Sequence, residues 1–174
     1  MKQGRLLFIG DSLLADFDWQ ERINHFEILN FGIPGETAQG LLNRLPSIEE
    51  QVVDPLIILI MTGTNNLLME DYNFSETIRQ IVVSLSHWYP RAEIIINSLI
   101  PPQIPWLNKD KIQVLNKTIE ALSLQSGCCF LDMFAKFNAG SGLFREDGIH
   151  FTEKGYNLWA RSILEYIAFL LEDD

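Results

Sequence analysis

Five short apolar runs recur along the chain, separated by stretches in which apolar residues return every three or four positions. The runs are Leu6–Ile9, Glu27–Asn30, Leu56–Met61, Glu93–Ser98 and Cys128–Leu131. Three of them are dense in Ile, Leu or Val, the composition of strands covered on both faces. Between them, Ile78, Ile81, Val82 and Leu85 make one helical stripe, with Ser75 placed to cap its start and Pro90 marking its stop. Ile112, Leu115, Ile119 and Leu122 make a second, followed by Gly127 as a C-terminal cap. Trp159, Ile163, Ile167 and Leu170 make a third, starting near Thr152. Thr37 to Asp54 also reads as helical with an interruption near Pro46, and Leu13–Asn24 as a further helix.

Strands alternating with helices imply βαβ units and a parallel sheet. Right-handed crossovers then build a three-layer α/β/α sandwich. The expected fold is therefore α/β, one domain over residues 1–174, with a five-stranded parallel sheet in the flavodoxin-like order 2-1-3-4-5. In such sheets ligands bind beyond the carboxyl ends of the strands, near the switch point between strands 1 and 3. Residues directly after strands are thus the ones to examine for chemistry.

Composition narrows the function classes. The chain has 174 residues, 47% apolar and 21% charged, enough for one sizeable core. Its formal net charge of −10, partly from the tail Glu172-Asp173-Asp174, disfavours nucleic acid as a partner, because an acidic surface repels phosphate. The apolar start stops at Gly10-Asp11, too short for a signal peptide, and no stretch approaches the length of a membrane span. A cytoplasmic location is the expectation. Adjacent Cys128 and Cys129 fit no metal spacing and read as core packing. Neither a G-x-x-x-x-G-K-[ST] loop nor a G-x-G-x-x-G fingerprint is present, which disfavours a nucleotide-binding domain. Asn138-Ala139-Gly140-Ser141-Gly142 follows no strand closely enough to cradle phosphate and reads as a loop.

Four polar segments fall at the expected ligand edge. After strand 1 comes Gly10-Asp11-Ser12-Leu13, a tight turn able to present a serine hydroxyl. After strand 2 comes Asn30-Phe31-Gly32-Ile33-Pro34-Gly35, where a glycine N–H can approach a ligand. After strand 3 comes Thr62-Gly63-Thr64-Asn65-Asn66, with an amide side chain to donate. Before the last helix lies Asp147-Gly148-Ile149-His150, where a carboxylate could fold back to orient an imidazole. Each segment alone is ordinary turn chemistry. Together they supply nucleophile, base, orienting acid and oxyanion donors, the inventory for acyl transfer. His25 and His87 lie in no such context.

These blocks resemble the SGNH hydrolase family, also called GDSL esterases and lipases, in order and wide spacing. Gly10-Asp11-Ser12-Leu13 is similar to its first block, Asn30-Phe31-Gly32 to its second, Gly63-Thr64-Asn65-Asn66 to its third and Asp147-Gly148-Ile149-His150 to its last. Asn66 stands where many members have aspartate, which resembles the platelet-activating-factor acetylhydrolase-like branch, as do Ser98–Pro102 and Leu131-Asp132. The resemblance implies a serine esterase acting on small to medium acyl esters (acetyl esters, lysophospholipids or thioesters). It implies Ser12 as nucleophile, His150 as base and Asp147 as its partner. Backbone N–H groups of Ser12 and Gly32 and the Asn65 side chain would meet the oxyanion, and no metal or organic cofactor would be needed. The alternative is a non-catalytic ligand- or carbohydrate-binding domain on the same fold. Among apolar loop residues, Leu67, Trp106 and Phe144 are candidates to line a substrate pocket, or else to pack against neighbouring helices.

Overall fold

In the computed structural model, which describes residues 2–172, the chain winds five parallel strands into one sheet. Met1, Asp173 and Asp174 lie outside the described residues, and with them the end of the acidic tail. The strands are β1 (Arg5–Gly10), β2 (Glu27–Gly32), β3 (Ile57–Met61), β4 (Glu93–Asn97) and β5 (Cys129–Leu131). Their order is β2-β1-β3-β4-β5, with every neighbouring pair parallel. All five apolar runs are strands, and the switch point lies between β1 and β3 as expected. The second run extends further than its composition suggests: Phe31 and Gly32 are still paired to β1, with Gly10 opposite Gly32.

Alternate strand residues feed two cores. Leu7, Ile9, Ile58, Ile60, Ile94 and Ile96 face one side, packed under α3 (Ala38–Glu49), α5 (Ser75–Trp88) and α6 (Lys109–Gln125). Leu6, Phe8, Ile57, Leu59, Met61 and Ile95 face the other, packed under α1 (Ser12–Ala15), α2 (Trp19–Arg22), α7 (Phe134–Ala139) and α8 (Glu153–Glu172). Burial on both faces is why these strands read as continuous apolar runs rather than alternating ones. The remaining helix, α4 (Thr64–Leu68), caps the end of β3.

Several local expectations change. The helix expected over Leu13–Asn24 is two single turns, α1 and α2, broken at Asp16–Asp18. The Asp18 carboxylate accepts the Glu21 N–H at 2.9 Å and restarts the helix, while Trp19 is buried with its Nε1 donating to the Leu14 carbonyl at 2.9 Å. Helix α3 continues through Pro46 instead of breaking there, because Leu41, Leu45 and Ile48 remain seated on the sheet. Ser75 is the first residue of α5, not its cap; buried Phe74 occupies the cap position without a side-chain hydrogen bond. Asn138 and Ala139 belong to the end of α7 rather than to a loop.

Candidate active site

The carboxyl ends of β1, β2 and β3 and the loop before α8 converge on Ser12. At the end of β1 the chain runs so close to β3 that a Cβ on Gly10 would lie 1.8 Å from the Met61 carbonyl oxygen. Only glycine fits there. The next residue, Asp11, caps α1: its Oδ1 accepts the Leu13 N–H at 3.0 Å. Ser12 is therefore the first residue of a one-turn helix, and its backbone N–H has no hydrogen-bond acceptor among the described residues.

Ser12 Oγ lies 3.0 Å from His150 Nε2, across 138 positions of sequence. His150 Nδ1 lies 2.6 Å from Asp147 Oδ2. The other carboxylate oxygen accepts the N–H groups of Ile149 at 2.8 Å and His150 at 3.0 Å. Burial raises the Asp147 pKa, but these hydrogen bonds, the imidazole first, outweigh it and hold the carboxyl down at about 2. The loop is itself anchored on both sides. Its flanks pair as a short hairpin, with the Arg145 N–H donating to the His150 carbonyl and the Thr152 N–H to the Leu143 carbonyl. The Gln103 N–H, from the loop after β4, donates to the Gly148 carbonyl at 2.7 Å. Helix α8 then carries Tyr156 back to the serine turn, where its hydroxyl donates to the Leu13 carbonyl at 2.8 Å and its ring stacks on Phe17.

The turn after β2 is held against the same edge. The Ile33 N–H donates to the Gly10 carbonyl at 2.9 Å. Arg44, on α3, forks onto Glu36 at 2.6 and 2.8 Å and also donates to the Phe31 carbonyl at 2.6 Å. Asn65 Nδ2 donates to the Glu36 carbonyl at 2.9 Å, which leaves its second amide hydrogen unassigned. Asn66 is buried and joins elements: its Oδ1 accepts the Ala38 N–H at 2.9 Å and its Nδ2 donates to Asp71 at 2.8 Å.

The family model described as GDSL-like Lipase/Acylhydrolase family matches residues 8–158. This chain belongs to that family. Among curated proteins it is similar to platelet-activating factor acetylhydrolase IB subunit alpha1 of Rattus norvegicus, 28% identical over 183 residues, covering 99% of this chain and 79% of that protein. Subunit alpha2 of the same species is 29% identical over 182 residues, covering 99% and 80%. Among solved structures it is similar to a putative platelet activating factor from Streptococcus pneumonia, with a TM-score of 0.81, 23% identity, and coverage of 95% and 84%. The psychrotrophic esterase EstA from Pseudoalteromonas sp., inhibited by monoethylphosphonate, superposes with a TM-score of 0.79 at 20% identity, covering 98% and 100%. The chain is thus a GDSL-type acylhydrolase, an enzyme acting on carboxylic esters.

Within this GDSL-type hydrolase the structure redistributes some expected roles. Gly32 is the last residue of β2, and its N–H already donates to Asn30 Oδ1 at 3.0 Å. It is also wedged against α1, where a Cβ would lie 2.6 Å from the Ala15 nitrogen. Three residues on, Gly35 has a φ of +78° with open space beside it, and its N–H has no acceptor among the described residues. Its neighbour Glu36 is the one bonded to Asn65. Leu67 is fully buried in the core and so lines no cleft, whereas Phe144 is partly buried and packs edge-on to Phe137 and Phe151. Trp106 is exposed on the loop after β4, as Ile33 and Met69 are on the turns after β2 and beyond α4.

Three contributors, Glu36, Arg44 and Asp16, went unnoticed in the sequence. Glu36 and Arg44 are eight positions apart across the start of α3, a spacing that carries no signal until the turn is folded. Asp16 stands four residues after Ser12, and its Oδ2 lies 3.8 Å from His150 Nε2. Asp11 is fully buried, and that burial raises its carboxyl pKa to about 7 against the Leu13 N–H, Thr64 and His150, all of which favour the ion. Thr64 is near enough to influence Asp11 yet outside hydrogen-bond geometry, leaving Asp11 Oδ2 and Thr64 Oγ1 unpartnered among the described residues. Among those residues no group of three His, Cys, Asp or Glu is placed to hold a metal, and no helix is long and apolar enough to cross a membrane.

Proposed function

We propose that this chain is a serine esterase that hydrolyses small to medium acyl esters through Ser12, His150 and Asp147. The observation that carries the reading is the continuous relay from Ser12 Oγ to His150 Nε2 at 3.0 Å and from His150 Nδ1 to Asp147 at 2.6 Å. His150 Nε2 takes the hydroxyl proton as Ser12 Oγ bonds to the ester carbonyl carbon. Asp147 keeps the Nδ1–H tautomer and stabilises the imidazolium. The tetrahedral oxyanion is met by the N–H groups of Ser12 and Gly35 and by the free amide hydrogen of Asn65, with Gly35 replacing Gly32 because the Gly32 N–H is occupied. Collapse breaks the ester C–O bond, and the leaving alkoxide takes the proton from Nε2. Water then attacks the acyl-enzyme, with His150 again as base, and releases the acid and Ser12.

The acyl group is short in this reading. Leu67 fills the core and Phe144 is packed edge-on against Phe137 and Phe151, so neither opens a deep apolar tunnel. The acetylhydrolase names of the curated relatives point the same way. A p-nitrophenyl ester series tests the acyl preference: rates should be highest at acetyl to butyryl and fall for longer chains. For the mechanism, Ser12→Ala should lower kcat by at least ~10³ and abolish labelling by a fluorophosphonate. Unchanged turnover by the purified Ser12→Ala protein would overturn the serine mechanism. A purified wild-type protein that neither labels nor turns over would instead be a binding domain on this fold.

A further inference from the structure

We propose that Asp16 makes this enzyme discriminate by charge, favouring esters whose alcohol carries a cation over neutral isosteres and disfavouring anionic ones. The inference rests on the Ser12–His150 reading above and adds the class of leaving group. Asp16 ends the one-turn helix that begins with Ser12, and its N–H donates to the Ser12 carbonyl at 2.9 Å. Four positions along a helical turn place both side chains on one face. Asp16 Oδ2 lies 3.8 Å from His150 Nε2, the same nitrogen that lies 3.0 Å from Ser12 Oγ.

That nitrogen must hand its proton to the departing alkoxide, so the leaving oxygen must come within about 3 Å of it. The leaving oxygen therefore sits within roughly 7 Å of the Asp16 carboxylate, whatever the ester. An ammonium group two or three bonds further along the alcohol can then reach ion-pair distance, while a phosphate or carboxylate there meets repulsion.

The other carboxylates of the site are committed. Asp147 is held by His150 and two backbone N–H groups, Glu36 is forked by Arg44, and Asp11 is wholly buried. Asp16 has a side chain 37% exposed and no Lys or Arg within ion-pair distance among the described residues. It is the carboxylate left to read a substrate's charge. At a separation of about 6 Å and an effective dielectric of about 40, between the protein-surface and water limits, one unit charge corresponds to roughly tenfold in rate.

The test compares acetylcholine with its uncharged carbon isostere, 3,3-dimethylbutyl acetate, by kcat/KM. Wild type should prefer the cation by roughly tenfold, and the ratio should shrink with added salt. In Asp16→Asn the ratio should fall to about one, and in Asp16→Glu it should largely return. Any general effect of the substitution on the chemical step cancels in the ratio. A wild-type ratio near one, a ratio indifferent to salt, or a ratio that survives Asp16→Asn overturns the proposal while leaving the esterase reading in place. If wild type turns over neither of these esters nor p-nitrophenyl acetate, both readings fall together.

Discussion

Asp147→Asn should be more damaging than its small change in shape suggests, and the reason lies in which oxygen does what. Oδ1 is fixed by two backbone donors, the N–H groups of Ile149 and His150 at 2.8 and 3.0 Å. An asparagine in the same place must keep its oxygen there, which turns its NH₂ toward His150 Nδ1. The imidazole then accepts at Nδ1 and carries its proton on Nε2, facing a Ser12 hydroxyl that it can no longer deprotonate. The pair also loses the ionic stabilisation of the imidazolium, although water reaches the 44% exposed Asp147 side chain and partly screens it. A loss of roughly 10³ in kcat/KM follows, about 4 kcal/mol of barrier. Asp147→Ala, which lets the ring choose its tautomer, should retain more activity than Asp147→Asn despite removing more atoms. The assay is initial rates on p-nitrophenyl acetate, with circular dichroism to confirm that both variants fold. An Asp147→Asn rate within tenfold of wild type, or a clearly worse Asp147→Ala, would refute the tautomer argument.

Other consequences are measurable. Asn65→Ala should lower kcat roughly 10²–10³ with little change in KM if its amide meets the oxyanion; a pure KM effect would count against that role. Asp11 titrates at about 7 when folded and near 3.8 when unfolded, so between those values the folded chain holds the extra proton. Its contribution to stability is greatest at the acid end of that window and is lost as pH rises toward 7, by up to about 4 kcal/mol. Urea melts at a series of pH values should show Asp11→Asn gaining on wild type across that window; a constant difference would contradict the burial argument. Arg44→Met strands the Glu36 carboxylate, whose side chain is only 9% exposed, and should destabilise the fold by about 3 kcal/mol, as expected when one partner of a buried pair is removed; adding Glu36→Gln should recover much of it. Leu67→Ala should cost roughly 2–5 kcal/mol in denaturant melts while leaving the acyl-chain preference unchanged, because Leu67 fills the core.

Much of this protein was legible before folding. Apolar runs at Leu56–Met61 and Glu93–Ser98 announced buried parallel strands, since a strand covered on both faces has no polar side to show. Once the strands were placed, sheet topology alone put Ser12, Asn65 and the segment after β2 at one edge. The Asp147–His150 pair was readable because its geometry is local, three residues folding back across a glycine. The sequence could not say which glycine N–H stays free: Gly32 closes β2, is wedged against α1 and donates to Asn30, while Gly35 stands open in the turn with a φ of +78°. Nor could it reveal that Leu67 turns inward, that Glu36 pairs with Arg44, or that Asp16 reaches His150. Those facts depend on side-chain directions and distances between elements far apart in the chain. Periodicity reports which face of an element is buried, whereas only the packed structure decides what each side chain meets there.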